Sequence, residues 1–150
     1  MAYSYKQLGS EDVPMLQQLV KVFGEAFEDM ESYQGHVPSE EYLRSLLRKS
    51  GFIVVVATVE DQVVGGLAAY VLEKFEQERR EIYIYDLAVQ EHHRRRGMAT
   101  KLIDFLRRIA QQRGAYVIYV QADKADEAAI KLYESMGTKQ DVLHFDIAPY

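Results

Sequence analysis

The stretch from residue 82 to 100, IYIYDLAVQEHHRRRGMAT, constrains the fold more than any other. It runs as a β-strand to Val89, breaks over residues 90–93 and restarts after Gly97 with helical periodicity. Between the two lies a basic turn, Arg94-Arg95-Arg96-Gly97-Met98-Ala99. The first turn of a helix carries backbone N–H groups without intrahelical partners, and the aligned peptide dipoles put partial positive charge there. Three arginines at that end oppose the dipole, so they call for an anion. Gly97 lets the backbone come close to it. The turn reads as a pyrophosphate site.

The rest of the chain supplies a scaffold of the same kind. Residues 3–8 alternate weakly and predict a first strand. Ser10, Glu11 and Asp12 with Pro14 predict a helix start, and Leu16, Leu19, Val20, Phe23 and Phe27 recur at helical spacing, so the helix is expected over 12–28. Glu25, Glu28, Asp29 and Glu31 crowd its end against the dipole and so invite another role. Residues 33–38 read as a loop. Ser39 caps a second helix reaching about Lys49. Strands follow at 52–59 and 63–72 as a hairpin, where Gly65-Gly66 predicts a bulge or a close backbone approach. The central strand covers 81–89 and the helix after the turn 98–113. A strand at 115–121, a short helix at 127–136 capped by Asp126 and a final strand at 142–147 complete the order β-α-α-β-β-β-α-β-α-β. This is a mixed α/β (α+β) chain in one domain spanning residues 1–150.

Composition removes several chemistries. With no cysteine, disulfides, cysteine-zinc sites and thiol nucleophiles are excluded. The four histidines are scattered apart from His92-His93, so no metal centre is expected. The N-terminus lacks a signal-peptide pattern and no apolar run reaches the ~20 residues of a membrane span, so a cytoplasmic protein is expected. The net charge is −5, yet residues 90–114 carry seven Lys/Arg against two Asp/Glu. An acidic body with one basic spot argues against nucleic acid. It suits a polyanion at the turn and a cation elsewhere. Asp86 is the sharpest candidate for the cation, because it interrupts an apolar strand where an unpaired carboxylate is costly. Strict alternation places it on the face opposite Glu81, Tyr83 and Tyr85, unless a bulge intervenes.

Two motifs resemble the GNAT superfamily of acetyl-CoA-dependent N-acetyltransferases. One is Arg94-x-x-Gly97-x-Ala99 between strand and helix. The other is Asp126, Ala128, Ala129, Leu132, Tyr133 and Gly137 in the short helix, with Asp126 where asparagine is usual and Thr138 where phenylalanine is usual. The segments EIYIYDLAV, GAYVIYVQAD and HFDI are similar to the short, gentamicin-type aminoglycoside 3-N-acetyltransferases. The resemblance implies a central mixed, mostly antiparallel sheet flanked by helices. It also implies acetyl transfer to the 3-amino group of the 2-deoxystreptamine ring, and a homodimer.

The same resemblance distributes the roles. Arg94, Arg95, Arg96, Gly97, Met98, Ala99 and Thr100 would hold the CoA pyrophosphate. The pantetheine arm would lie near Leu87, Ala88 and Val89, with the N–H of Ala88 or Val89 stabilising the oxyanion. Asp126 and Ala129 would complete the cofactor site. Tyr133 would hydrogen-bond and protonate the departing thiolate, an unperturbed phenol having a pKa of about 10. Asp86 would take the amine proton, with Glu81 as the alternative base. Glu28, Asp29, Tyr33, Asp123 and Asp146 would bind the cationic acceptor. A GNAT acting on polyamines or protein amines, and a non-catalytic acetyl-CoA-binding module, fit the same acidic body.

Overall fold

The computed structural model describes residues 2–150. Five strands form one open mixed sheet in the order β1-β2-β3-β4-β5: β1 Ser4–Gln7, β2 Phe52–Val59, β3 Gln62–Glu73, β4 Arg80–Val89 and β5 Ala115–Val120. All neighbours are antiparallel except β4 and β5. The helices are α1 Val13–Ala26, α2 Met30–Gln34, α3 Glu40–Arg48, α4 Met98–Gln112 and α5 Glu127–Met136. Among the described residues no helix is long and apolar enough to cross a membrane.

The β-branched run of β2 is buried on both faces, as expected of a strand covered by helices on either side. Ile53, Val55 and Ala57 meet α4 through Leu102, Leu106 and Ile109. Val54 and Val56 meet α1 and α3 through Leu16, Leu19, Phe23, Leu43 and Leu47. The β2–β3 turn is two residues long, and Glu60 and Asp61 both take positive φ (50° and 63°), matching the twist of the strands it joins.

Gly65-Gly66 serves both purposes expected of it. Ala57 faces Gly65 while Thr58 faces Val63, so Val64 is an extra, bulged residue. A Cβ on Gly66 would lie 2.6 Å from the Val55 carbonyl oxygen and 2.7 Å from Cδ1 of Leu19, itself fully buried. Gly66→Ala therefore pushes α1 off the sheet. We expect a loss of about 1–3 kcal/mol, read as a lower denaturation midpoint with unchanged m-value.

Four expectations change. The first helix ends at Ala26, because Glu28 turns the chain at φ 54°. Asp12 stands at that helix's N-cap but does not cap it; its carboxylate accepts from Gly9 N–H (2.8 Å) and Lys6 Nζ (2.8 Å). A single-turn helix, α2, occupies part of the expected loop and is capped by Asp29, which accepts from Ser32 N–H (3.1 Å). The strand expected at 142–147 does not form. Those residues are exposed, and among the described residues no strand pairs with their backbone groups.

Candidate active site

The site is built where β4 outruns β5. Their pairing ends at Ile84 opposite Val120, so residues 85–89 continue with no strand on that side among the described residues. On the other side β3 follows β4 to its end, and Gln90 N–H donates to Val64 O (2.8 Å). Antiparallel pairing alternates, so the N–H of Ala88 also points towards β3, while those of Leu87 and Val89 point into the gap. Of the two backbone donors that the family resemblance implied, Ala88 and Val89, only the Val89 N–H faces this gap. Its carbonyl faces the gap as well and accepts from Arg94 Nε (2.9 Å), which ties the basic turn to the strand end.

A bulge decides the direction of Asp86. Ala68 faces Asp86 and Ala69 faces Ile84, leaving Tyr85 as the extra residue. Ile82, Ile84, Leu87 and Val89 pack on the α4 side, whereas Ala88 joins the α1 core. Asp86 therefore shares its face with Tyr83 and Tyr85, reversing strict alternation. Its carboxylate accepts from the Tyr33 hydroxyl (2.9 Å). Partial burial pushes the Asp86 carboxyl above the usual carboxylate range, and the Tyr33 bond pulls the other way. Burial first, and then the bond to Asp86, raises the Tyr33 phenol.

Removing that bond has a signed consequence. Tyr33→Phe deletes a donor to the ionised carboxylate, so the Asp86 pKa rises further. Activity that needs ionised Asp86 then loses its acid limb at a higher pH than in the wild type, which a pH profile of kcat/KM measures.

An aromatic row that the sequence reading passed over extends from Asp86 across the same face. Phe52–Tyr70, Tyr70–Tyr85 and Tyr85–Tyr83 have ring centroids 5.3, 5.9 and 5.9 Å apart, and Tyr83 stacks on Tyr119 at 4.7 Å. Tyr85 remains 61% exposed. The signal was present as the i, i+2 pair Tyr83 and Tyr85 in a chain with eleven tyrosines.

At the far end of the turn, Arg95 and Gly97 both adopt left-handed backbone (φ 63° and 74°). Helix α4 then starts with no side-chain cap and no acidic residue in its first turn, and Arg94, Arg95 and Arg96 are exposed beside it. Met98 is buried in the α4 core; Ala99 and Thr100 are half-buried. The uncapped helix start and the exposed arginines fit a pyrophosphate. Tyr133, half-buried against the α4 core, makes no hydrogen bond through its hydroxyl among the described residues. Burial, with Asp126 adding to it, pushes its pKa up to about 12.

Other expected residues are occupied or apart. Asp126 caps α5 by accepting from Ala129 N–H (3.1 Å), so this pair is engaged within the helix. Glu81 accepts from the Tyr116 hydroxyl and lies 3.7 Å from Lys74 Nζ. It sits five residues down the strand, on the order of 15 Å from Asp86. Asp29 is spent on its cap, Glu28 and Asp123 are exposed, and Asp146 pairs with His144 (2.8 Å) beyond α5. Among the described residues no cluster of His, Cys, Asp and Glu is arranged to hold a metal.

A gapped strand edge, a bare basic helix start and a free phenol are the parts an acyl-CoA site needs. The profile of the acetyltransferase (GNAT) family matches residues 16–138. The chain belongs to the GNAT family. Enzymes of this family use acetyl-CoA. The GNAT chain is 52% identical to an aminoglycoside acetyltransferase from an uncultured soil metagenomic sample, over the whole of both chains, with a TM-score of 0.98. A second aminoglycoside acetyltransferase of soil metagenomic origin, crystallised with sisomicin, is 34% identical over 99% of this chain and 97% of its own, with a TM-score of 0.91. Human N-acetyltransferase 8 is 28% identical over 65% of the chain, and the match spans 43% of that protein's length.

Within this GNAT site Gly97 is needed for its backbone. A Cβ there would meet open space, but φ 74° strains any L-residue by roughly 1–2 kcal/mol. Gly97→Val is expected to weaken CoA binding about tenfold by calorimetry and, through the same strain, to lower the melting temperature by roughly 2–8 °C.

Proposed function

We propose that the chain, acting as one catalytic domain in the cytoplasm, transfers the acetyl group of acetyl-CoA to an aminoglycoside. The acceptor is the 3-amino group of the 2-deoxystreptamine ring, as in gentamicin. The amine attacks directly in a ternary complex, and the antibiotic is inactivated. The observation that carries this reading is Asp86: a half-buried carboxylate bonded to Tyr33 at the head of an aromatic row, directly beside the open edge of β4. The likeness to two aminoglycoside acetyltransferases over nearly the whole chain supports the choice of acceptor.

Bound acetyl-CoA supplies an activated thioester. The chain's residues supply the rest. The α4 N-terminus with Arg94, Arg95 and Arg96 binds the pyrophosphate. The Val89 N–H points at the place where a thioester oxygen gains charge. Asp86, desolvated and more basic than an ordinary carboxylate, pairs with the substrate ammonium and accepts its proton. Tyr83, Tyr85 and Tyr70 offer ring faces to the sugar's apolar side. Tyr133 keeps its proton at working pH and donates to the departing sulfur.

Free-thiol release from acetyl-CoA should be measured with gentamicin, kanamycin, spermidine and a lysine-rich peptide. Release with an aminoglycoside is expected. Release only with spermidine or the peptide rejects the antibiotic reading in favour of another GNAT acceptor. No release with any of them indicates a binding module.

A further inference from the structure

The basic turn has little to hold it. Of residues 91–97 every one is exposed except His93. Arg95 takes left-handed backbone, a region that residues other than glycine rarely occupy. Such a conformation persists only where its surroundings impose it. The turn's own backbone bonds before Gly97 are local, from His93 N–H to Gln90 O (2.9 Å) and from Arg94 N–H to Glu91 O (3.3 Å). Among the described residues its side chains make two hydrogen bonds. Arg94 reaches back to Val89, at the end of the strand that the turn leaves. His93 reaches across the fold. Its Nδ1 lies 2.9 Å from the hydroxyl of Tyr3, 90 residues away in the chain, and the two rings meet edge to face with centroids 5.7 Å apart. Tyr3 is firmly seated. It directly precedes β1, whose Ser4 pairs with Thr58 of β2, and its ring packs half-buried on the α4-side core.

We infer that Tyr3 and His93 form a clasp that sets the pyrophosphate turn, which makes both of them positioning residues for the acyl donor. With the ring proton on Nε2, Nδ1 accepts from the phenol. Arg94 then ties the turn to β4, His93 ties it to the start of β1, and buried Met98 fixes its end. Only residues 95–97 are left between these anchors, so the turn holds its shape before the donor arrives. Without the clasp, part of the binding free energy goes into ordering the turn. That loss weakens donor binding in ground and transition states alike, so it falls on KM and not on kcat. The inference rests on the placement of the pyrophosphate at this turn, and it adds two residues that lie outside both motifs.

The test is CoA affinity by calorimetry in the full chain. Tyr3→Phe and His93→Leu should each weaken CoA about three- to tenfold, the size of one hydrogen bond. The double variant should be no weaker than the weaker single, because both remove the same contact. His93→Asn should restore most of the affinity, since asparagine carries a polar atom on Cγ where histidine carries Nδ1. In turnover with gentamicin, KM for acetyl-CoA should rise by the same factor while kcat stays within about twofold. Additive losses, no recovery in His93→Asn, or a melting temperature that falls while CoA affinity holds overturns the clasp. The pair Arg95→Ala and Arg96→Ala, made together, reports on the site itself. Weaker CoA binding there with none in Tyr3→Phe or His93→Leu rejects the clasp alone. Unchanged binding in all of them rejects the turn as the phosphate site, and the clasp with it. A wild type that binds CoA but acetylates no gentamicin rejects the proposed acceptor and leaves the calorimetric result to decide the clasp.

Discussion

Asp86→Asn lowers kcat/KM for an aminoglycoside by about 10²–10⁴-fold, the usual range for removing a positioned general base. CoA binding stays within about twofold, because Asp86 lies on the acceptor side of the gap and not at the turn. The fold does not suffer. Burial raises the Asp86 carboxyl in the native protein above its unfolded value of about 3.9, so its ionisation works against folding. The stability linked to this group is fully present below the unfolded pKa and is lost as pH rises through the folded one. At neutral pH the neutral amide removes that cost and still offers an oxygen to the Tyr33 hydroxyl. Melting temperature should therefore hold or rise while turnover collapses, a combination that separates a catalytic carboxylate from a structural one. In the wild type, kcat/KM should fall as pH drops through the raised Asp86 pKa. That limb should be absent from the residual activity of the variant.

Tyr133→Phe should lower kcat about 10²-fold and leave both KM values nearly unchanged. The size is that of deleting one donor aimed at charge that develops during reaction. The Tyr133 hydroxyl makes no hydrogen bond among the described residues, so stability should be unaffected. The raised phenol changes the sense of its role. At about 12, against roughly 8.5 for an ordinary thiol, complete proton transfer to the sulfur is uphill, so donation of a hydrogen bond to the leaving thiolate is the larger contribution. A phenol at that value also keeps its proton throughout the working range, so Tyr133 contributes no alkaline limb below pH 10. Steady-state kinetics of Tyr133→Phe from pH 6 to 10 checks both points.

The parts of this site that the sequence disclosed are those whose causes are local. A glycine at φ 74° followed by a helix with no acid in its first turn is readable from Arg94 to Ala99, because strand end, turn and helix start are contiguous. The same is true of Asp126, which caps the helix that begins one residue later. The direction of Asp86 was not readable. It depends on an extra residue, Tyr85, in a bulge that no glycine or proline marks, and that one residue moves the carboxylate to the other face. The α2 turn was hidden because Asp29 looked like one more acid at the end of α1, when it is the cap of a separate helix. The arm at 142–147 has the right alternation for a strand. Whether such a segment forms one depends on an edge to pair with, and its own sequence does not say where that edge is.

The account places the donor at the gap between β4 and β5 and the acceptor amine at Asp86, on one continuous strand. Its most direct test is the position of the acetyl group on gentamicin after turnover by the wild-type protein, assigned by two-dimensional NMR of the purified product. The account predicts a single acetyl on the 3-amino nitrogen of the 2-deoxystreptamine ring, and none from Asp86→Asn under the same conditions. Acetylation of another amine, a mixture of positions, or undiminished product from the variant would contradict it.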